Sequence, residues 1–443
     1  PTSAASVYLK EVLGPWNSNT ITYNNAPALN TFSLDYNYMD AANTWYSYDI
    51  SNLVRKWYAG TNHGFALEAN TGTFMELSTS DDSYNKPYVM ISYVSLAGLE
   101  GYLAYESQSV GLAGTGHVSL YNGNLIFEHQ DTMYNGNILP VSVSHFYNSC
   151  YRNEDAFGAG KGWKTNYHQC LHRETLPDGT GDVLYYVYTD GDGTRHYFMQ
   201  TDGVWKDQSG LELTLTISGS LVTIRDKGDN TMTFDLPAVE FNGNYANVKM
   251  IKTFADAHGN SITVSTDSNR LLTDVVDGAG RYTGFSNYPR LSTIYPPGYG
   301  ESGYCGFEYN TLGQMTKIWQ LDGEPGVREC TYTYNAQGLL ETVTNHDGLK
   351  ITYEYYLTRE PYRVKKMTVS NGSMPGNSRL YEYGDNLTVV TDLTVPNGKK
   401  LFYHFNDYGN VVSVNDQLGY AAFTKYNSSQ PMNHPEVVSR MQR

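Results

Sequence analysis

Residues 332–356 read YTYNAQGLLETVTNHDGLKITYEYY. In this stretch an Asn is followed three residues later by a Gly, first at Asn335–Gly338 and again at Asn345–Gly348. Asn favours the first position of a type I turn, and Gly favours the position where the chain needs a positive φ to re-enter a strand. The flanking residues alternate between aromatic and polar, which is typical of strands. The stretch therefore predicts strands joined by two tight turns.

The same turn signal recurs through the C-terminal half of the chain. It occurs at Asp256–Gly259, Asp277–Gly280, Asn310–Gly313, Asn335–Gly338, Asn345–Gly348, Asn406–Gly409 and Asp416–Gly419. Aromatic pairs at i and i+2, which share one face of a strand, precede several turns: Phe307/Tyr309, Tyr332/Tyr334, Tyr353/Tyr355, Tyr381/Tyr383 and Tyr403/Phe405. The second aromatic recurs at positions 285, 309, 334, 355, 383 and 405. The interval between these positions is long enough for two strands and two turns. We therefore expect each repeat to be one hairpin that stacks beside its neighbours.

The composition agrees with an all-β fold. Of 443 residues, 40 are Tyr and 42 are Gly, which suit pleated surfaces and tight turns. The net charge is −15, which disfavours nucleic acid as a partner because phosphate backbones attract basic surfaces. The sequence contains no apolar run long enough for a helix that spans a membrane.

The repeat unit resembles the YD repeat of the RHS family. The pattern Y-x-Y-N-x-x-G-x-L matches best at 332–340, with Leu340 one position beyond its usual site, and also at 307–313 and 403–409. The stretches LPVSVSHFYNS (139–149) and FGAGKGWKTNYH (157–168) resemble the segment that precedes the repeats in bacterial RHS proteins. The resemblance implies a curled, spiralling antiparallel β-sheet that forms part of a hollow shell. In bacteria such shells often enclose a toxic C-terminal domain.

The first 95 residues resemble the second half of a DNRLRE domain, a partial β-sandwich-like module of bacterial secreted proteins. The matching stretches are Trp16, ITYNNAP (21–27), YDISNLVRKWYAG (48–60), HGFAL (63–67) and PYVMISY (87–93). Apolar residues at Ile50, Leu53, Val54 and Trp57 predict a helix, and FALEA, TFMELS and PYVMISY predict strands.

We therefore predict three regions: a partial DNRLRE-like module (1–95), a cap segment of β-hairpins (96–250) and a YD-repeat shell segment (251–443). The opening strands of a DNRLRE domain and the Asp-Pro-x-Gly stretch of many RHS cores are missing from the sequence. We expect the chain to be a portion of a longer secreted or surface polypeptide.

Metal-binding candidates are few. His168, Cys170 and His172 alternate, so a strand would put them on one face, but a straight strand holds its outer ligands too far apart for one ion. A polar strand face is favoured over a metal site. Asp190 and Asp192 resemble part of a calcium loop, yet a hairpin turn is the favoured interpretation. We expect no cofactor, with a structural calcium ion near Asp81 and Asp82 as the weaker alternative.

The four cysteines give a geometric test of the repeat. Cys305 and Cys330 each lie four residues before the second aromatic of a repeat. Equivalent strands of neighbouring hairpins lie about 9–10 Å apart, whereas a disulfide needs Cα atoms about 5.5 Å apart. We predict that these two cysteines are not bonded to each other.

No catalytic motif is present, so the leading prediction is a non-enzymatic scaffold that encloses or presents other parts of a larger polypeptide. The alternative is a carbohydrate- or surface-binding adhesin acting through Trp16 and Trp45 of the first module, with glycans as partners; Trp57 completes the helix stripe and is assigned to the core. A hydrolase with an unrecognised site is a third class with no residues to support it.

Overall fold

The computed structural model describes residues 4–58, 62–70, 75–79, 82–89, 97–133, 136, 138–177, 182–298, 303–321, 327–357, 362–372, 374–426 and 435–441. The chain forms two compact units, Pro1–Val89 and Met90–Arg443. None of the helices in the described part is both long and apolar enough to cross a membrane.

The first unit contains a small antiparallel sheet and one helix. The sheet has the order β2-β1-β3, with β1 at Ala5–Glu11, β2 at Asp35–Met39 and β3 at Phe65–Ala69. Helix α1 covers Ser51–Tyr58, as the apolar spacing predicts, and Leu53 is fully buried.

Two of the three strands predicted after this helix are not formed where the structure describes them. FALEA is β3, but residues 75–78 of TFMELS and residues 87–89 of PYVMISY are irregular, and the remainder of both stretches lies outside the described residues. The signals for these strands were alternation and the turn residues between them, and neither signal supplies the neighbouring strand that a ladder needs.

The second unit begins with a five-stranded meander, which we call the cap sheet. Its strands follow one another in chain order and pair antiparallel: β4 (Tyr105–Ser109), β5 (Thr115–Ser119), β6 (Leu125–Met133), β7 (Ser142–Asn148) and β8 (Trp163–Thr165). Short 3₁₀ helices in the chain lie at Tyr23–Asn25, Gly111–Ala113, Ser149–Tyr151 and Tyr245–Asn247.

The remainder of this unit is one long antiparallel sheet in which each strand pairs with the next along the chain. Its strands are β9 (Cys170–Pro177), β10 (Asp182–Thr189), β11 (Arg195–Thr201), β12 (Val204–Asp207), β13 (Thr214–Ser218), β14 (Leu221–Arg225), β15 (Thr231–Asp235), β16 (Lys249–Ala255), β17 (Ser261–Thr266), β18 (Leu272–Val276), β19 (Tyr282–Asn287), β20 (Leu291–Tyr295), β21 (Cys305–Tyr309), β22 (Met315–Leu321), β23 (Val327–Tyr334), β24 (Leu340–Thr344), β25 (Leu349–Tyr355), β26 (Val364–Asn371), β27 (Met374–Gly384), β28 (Leu387–Asp392), β29 (Lys399–Phe405), β30 (Val411–Asp416), β31 (Ala421–Tyr426) and β32 (Pro435–Met441).

The long sheet curls and closes on itself near its start. Lys249 and Met250 of β16 pair with Leu171 and Cys170 of β9, so strands β9 to β16 form a ring. The C-terminal end of β16 pairs with β17 instead, and the sheet continues from there. The predicted boundary at residue 250 falls inside β16, so the sheet is continuous across it.

All seven predicted turns form. The Gly amide of each turn donates to the carbonyl of the Asp or Asn three residues earlier, as in Gly338 to Asn335 at 3.0 Å. The seven glycines have φ between +79° and +88°, a conformation that few other residues adopt readily. The aromatic pairs lie in β21, β23, β25, β27 and β29, which are alternate strands, so each repeat is one hairpin.

Cys305 and Cys330 lie in β21 and β23, with β22 between them. Cys305 and Cys330 are both free thiols. This agrees with the prediction that these two are not bonded to each other.

Candidate functional site

The candidate site is the aromatic face of the long sheet, defined by the residue pairs at i and i+2 in β21, β23, β25, β27 and β29. The cap sheet packs directly on this face. Tyr332 is 2% exposed, Tyr353 is 1% exposed and Tyr381 is fully buried. The sheet therefore wraps around an earlier part of its own chain.

Trp163 of β8 makes several of the contacts between the cap sheet and the aromatic face. Its ring lies 5.2 Å from the ring of Tyr332 in an edge-to-face arrangement, and its Nε1 donates to the Tyr334 hydroxyl at 2.8 Å. Phe127 of β6 also meets Tyr332, with ring centroids 6.2 Å apart. Edge-to-face aromatic pairs add about 0.5–1.5 kcal/mol each beyond the area they bury.

Backbone groups of the long sheet also bind the cap segment. A β-bulge faces the second aromatic of several repeats, as where Tyr334 pairs with Leu340 and Tyr355 pairs with Val364. The bulge leaves an amide without its ladder partner. The Leu340 amide donates to the Tyr147 hydroxyl at 3.0 Å, and the Val364 amide donates to the Gly123 carbonyl at 2.9 Å. The bulges thus supply donors that hold the cap segment.

In four of the five repeats the second aromatic is a tyrosine whose hydroxyl binds the preceding repeat. The hydroxyls of Tyr309, Tyr334, Tyr355 and Tyr383 donate to the carbonyls of Leu291, Met315, Leu340 and Val364, at 2.7 to 2.9 Å. Burial raises the pKa of all four hydroxyls well above the usual value, so they remain donors. These bonds form a ladder of tyrosines along the face.

Tyr353, the first tyrosine of its repeat, lies so close to β5 that a side chain on the facing residue would clash with it. A Cβ on Gly116 of β5 would lie 1.8 Å from the Tyr353 hydroxyl oxygen. That hydroxyl has no hydrogen-bond partner in the described structure. Glycine at position 116 therefore allows the cap sheet to approach the aromatic face.

A buried charged group lies within this interface. The Asp131 carboxylate binds His129 Nδ1 at 2.8 Å and also binds His145 Nδ1, and all three residues are at most 3% exposed. Burial would raise the pKa of Asp131, but the two imidazoles hold it below its usual value. The His145 ring lies 4.7 Å from the ring of Phe307, which belongs to the aromatic face.

The predicted metal candidates are not brought together. His168 Nδ1 accepts the Thr165 amide at 2.9 Å, whereas Cys170 packs with Phe157, Val248 and Met250. The His172 ring lies 4.5 Å from Phe241. Among the described residues, these three do not form a group whose ligand atoms lie within 4.8 Å of one another.

A different group has that property: Glu100, Asp190 and His196. His196 Nε2 lies 3.2 Å from Asp190 Oδ2 and 3.8 Å from Glu100 Oε1. Asp190 sits in the β10–β11 turn, as predicted, and its Oδ1 accepts the amides of the next residues. Glu100 and His196 were missed in the sequence because about ninety residues separate Glu100 from the turn.

The tryptophans predicted as glycan contacts are exposed. Trp16 is 48% exposed, donates from Nε1 to the His63 carbonyl at 2.7 Å, and lines a surface cleft of about 360 Å³ with Pro15, Asn62, His63 and Gly64. Trp45 is 61% exposed, and its ring lies 5.6 Å from that of Tyr88. Trp57 is half-buried, with its ring stacked 6.4 Å from Phe65.

An exposed aromatic strip on β2 was not predicted. Tyr36 and Tyr38 are 61% and 59% exposed and lie two residues apart, so they share one face of the sheet. Tyr8 of β1 pairs with Tyr36, and their rings are 6.0 Å apart. The period-2 pattern D-Y-N-Y-M was the available signal.

Family comparisons match two parts of the chain. Residues 1–93 match the model of carbohydrate-binding module family 96. Residues 115–198 match a domain of unknown function, DUF6531. This second match covers most of the cap sheet and the start of the long sheet.

Two curated relatives are nucleases. The tRNA3(Ser)-specific nuclease WapA of Bacillus spizizenii is 26% identical over 162 residues, and the tRNA nuclease WapA of Bacillus subtilis is 26% identical over 160 residues. Each alignment covers 31% of this chain and 7% of the relative. The chain therefore spans only a small part of their length.

The solved structures that the chain matches include toxin complexes. The Tc holotoxin pore of Photorhabdus luminescens is 9% identical, with 69% of this chain and 24% of that chain covered at a TM-score of 0.23. TcdB2-TccC3 without its hypervariable C-terminal region is 13% identical, with 71% and 23% covered at a TM-score of 0.25. The family matches and the curated relatives fit an RHS-like protein.

Proposed function

We propose that this chain is part of a secreted or cell-surface YD-repeat scaffold whose long sheet wraps around and presents other parts of the same polypeptide. The observation that carries the proposal is the covering of the aromatic face by the cap segment. The contact includes side chains such as Trp163 and backbone amides that have no ladder partner, such as that of Leu340. In this arrangement the curved long sheet encloses an earlier part of its own chain, the cap segment.

The burial of the aromatic face changes along the sheet. β24 and β25 contain fully buried residues, whereas β30 and β31 contain none. Tyr403 and Val414, which pair across β29 and β30, are both half-buried. We assign this end of the face to contact with a further part of the polypeptide or with an enclosed cargo domain.

Cysteine labelling tests the assignment. Val414 pairs with Tyr403 and shares the aromatic face, and Ser413 is on the opposite face of the same strand. We expect Val414→Cys to react with a maleimide at least tenfold more slowly in the full-length gene product than in the 443-residue chain. Ser413→Cys is the matched control and should react alike in both. Equal rates for Val414→Cys in the two proteins would contradict the proposal.

The proposal includes no catalytic activity for this segment. The charged groups of the interface, such as Asp131 with His129 and His145, are enclosed between the two sheets. Substrate has no access to enclosed groups of this kind. The 443-residue chain should show no turnover in nuclease, glycosidase and esterase assays in which the full-length product is tested beside it; turnover by the short chain would refute this.

A second candidate function is glycan binding by the first unit. The match to carbohydrate-binding module family 96 and the exposed aromatics favour it. Aromatic faces stack on sugar rings, and Trp16 and Tyr36 are each exposed enough to do so. Glycan-array binding should be lost in Trp16→Ala, Trp45→Ala or Tyr36→Ala and kept in Phe32→Ala, an 81% exposed control. Absence of binding by the parent chain to every glycan would rule this function out.

A further inference from the structure

We propose that Glu100, Asp190 and His196 bind a divalent transition-metal ion, with Zn²⁺ or Mn²⁺ as the ions that the donors suit. One imidazole nitrogen and two carboxylate oxygens form the donor set. Calcium and magnesium prefer all-oxygen sites, whereas zinc and manganese accept nitrogen together with carboxylate oxygen. This site differs from the one predicted at His168, Cys170 and His172.

The distances suit a shared ion. His196 Nε2 lies 3.2 Å from Asp190 Oδ2 and 3.8 Å from Glu100 Oε1, and all three atoms lie within 4.8 Å of one another. Ligand atoms about 2.0–2.2 Å from a zinc ion are separated by roughly 3.3 Å in a tetrahedral site. Small side-chain movements would close the remaining gap at Glu100.

The Glu100 carboxylate is buried beside the imidazole of His196. Its side chain is 7% exposed, and its closest ion-pair contact, His196 Nε2, is beyond hydrogen-bond distance. The neighbouring Thr194 hydroxyl has one proton, which it donates to Asp192 Oδ1 at 2.6 Å. Burying a charged carboxylate is costly unless nearby donors or a cation compensate its charge.

The other oxygens of the cluster are already engaged. Asp190 Oδ1 accepts amides within its turn, which leaves Oδ2 directed at His196. Asp192 Oδ2 accepts the Leu99 amide at 3.1 Å, so Asp192 holds the loop in place and is not assigned as a ligand. Asp190 Oδ2 and His196 Nε2 share a hydrogen bond of 3.2 Å, which both atoms would exchange for a bond to the ion.

The local charge is also unbalanced. Glu100, Asp190 and Asp192 meet a single basic partner, His196, among the ion pairs of the described residues. A divalent cation would neutralise this excess negative charge.

The site joins two parts of the second unit. Glu100 belongs to the loop before β4, whereas Asp190 and His196 belong to the β10–β11 hairpin. The loop approaches the hairpin so closely that a Cβ on Gly98 would lie 1.4 Å from Thr194 Oγ1. The Asp190 side chain is 24% exposed, which gives an ion and a coordinated water access from solvent.

Calorimetric titration of the untagged, metal-free chain with Zn²⁺ and with Mn²⁺ tests the proposal. We expect one equivalent of at least one of these ions to bind, with affinity reduced at least tenfold in Glu100→Gln and in His196→Gln. Asp207→Asn is the matched control, since Asp207 lies near the cluster but its oxygens accept the amides of Ser209 and Leu211. His172→Gln controls for the site predicted from sequence. Both controls should bind as the parent does.

A second measurement needs no variant and remains decisive if a substituted chain fails to fold. Pulsed electron paramagnetic resonance of the Mn²⁺- or Cu²⁺-loaded parent chain should show one directly coordinated histidine nitrogen. Two outcomes would overturn the proposal: no stoichiometric binding of either Zn²⁺ or Mn²⁺, or binding that is unchanged in both Glu100→Gln and His196→Gln.

Discussion

The hydroxyl of Tyr334 donates to the backbone carbonyl of Met315 at 2.7 Å. It also accepts the Trp163 indole N–H at 2.8 Å. One side chain thus connects its own repeat, the preceding repeat and the cap sheet. The same donor–acceptor relationship to the preceding repeat is found at Tyr309, Tyr355 and Tyr383.

Removing this hydroxyl should destabilise the second unit. Tyr334→Phe leaves the Met315 carbonyl and the Trp163 N–H unpaired, and each unsatisfied buried group costs about 1–3 kcal/mol. Tyr355→Phe removes one such bond and should cost roughly half as much. Tyr288→Phe, at a 91% exposed position, is the control. Chemical denaturation measures the free energy of unfolding; equal values for Tyr334→Phe and Tyr288→Phe would contradict the ladder.

The close approach of Gly116 to Tyr353 predicts a compensating pair. Gly116→Ala should destabilise by about 1–3 kcal/mol, because its new methyl group meets the Tyr353 hydroxyl. Tyr353→Phe alone should be neutral or stabilising, since it removes a buried hydroxyl without a partner. Gly116→Ala combined with Tyr353→Phe should recover most of the loss. A double-mutant cycle by thermal unfolding that gives additive effects would rule out this contact.

The Asp131 carboxylate should be a major source of stability at neutral pH. Asp131→Asn leaves two imidazole N–H groups with a single acceptor, and breaking a buried charged pair costs about 3–5 kcal/mol. The pKa of Asp131 is lowered in the fold, so its contribution is present above its ordinary value of 3.8 and is lost as pH falls below it. Asp229→Asn, which breaks a pair between exposed groups with Arg225, should change little. Similar unfolding free energies for the two variants would refute the prediction.

His117 should make the second unit sensitive to mild acid. Burial lowers the pKa of His117 below its ordinary value of 6.5, so the unfolded chain takes up this proton at a higher pH than the folded chain does. Stability therefore falls as pH decreases from about 6.5 towards the lower folded-state value, with a slope of up to about 1.4 kcal/mol per pH unit. His117→Gln, which keeps a partner for Ser107, should flatten this slope. Exposed His258→Gln should leave it unchanged, and identical slopes in all three proteins would contradict the assignment.

The features that were predicted correctly from the sequence depend on interactions between residues that are close together in the chain. The turn at Asn335–Gly338 needs only a side-chain acceptor and a residue that tolerates positive φ. Both requirements can be recognised from the residue types in the sequence. The pairing of β9 with β16 has no such signal, because about eighty residues separate the partners. The irregular course of residues 75–79 shows that alternation without a neighbouring strand is insufficient.

The candidate site was predictable only in part. The aromatic pairs were visible, yet nothing local indicated that Trp163 and Tyr147 would cover them. Glu100 and His196 likewise come together only in the folded chain. Long-range contacts of this kind depend on the whole topology and leave no short pattern to find.

The wrapping of the sheet around the cap sheet determines the order in which the molecule can be assembled. The Thr388 hydroxyl donates to the Leu120 carbonyl across 268 residues of chain. Contacts of such separation slow folding, because a long loop must close before they contribute. During synthesis the cap sheet is made before the hairpins that cover it, and its contacts with them form only when those hairpins are present. The last strands of the long sheet are therefore added around a cap sheet that is already present.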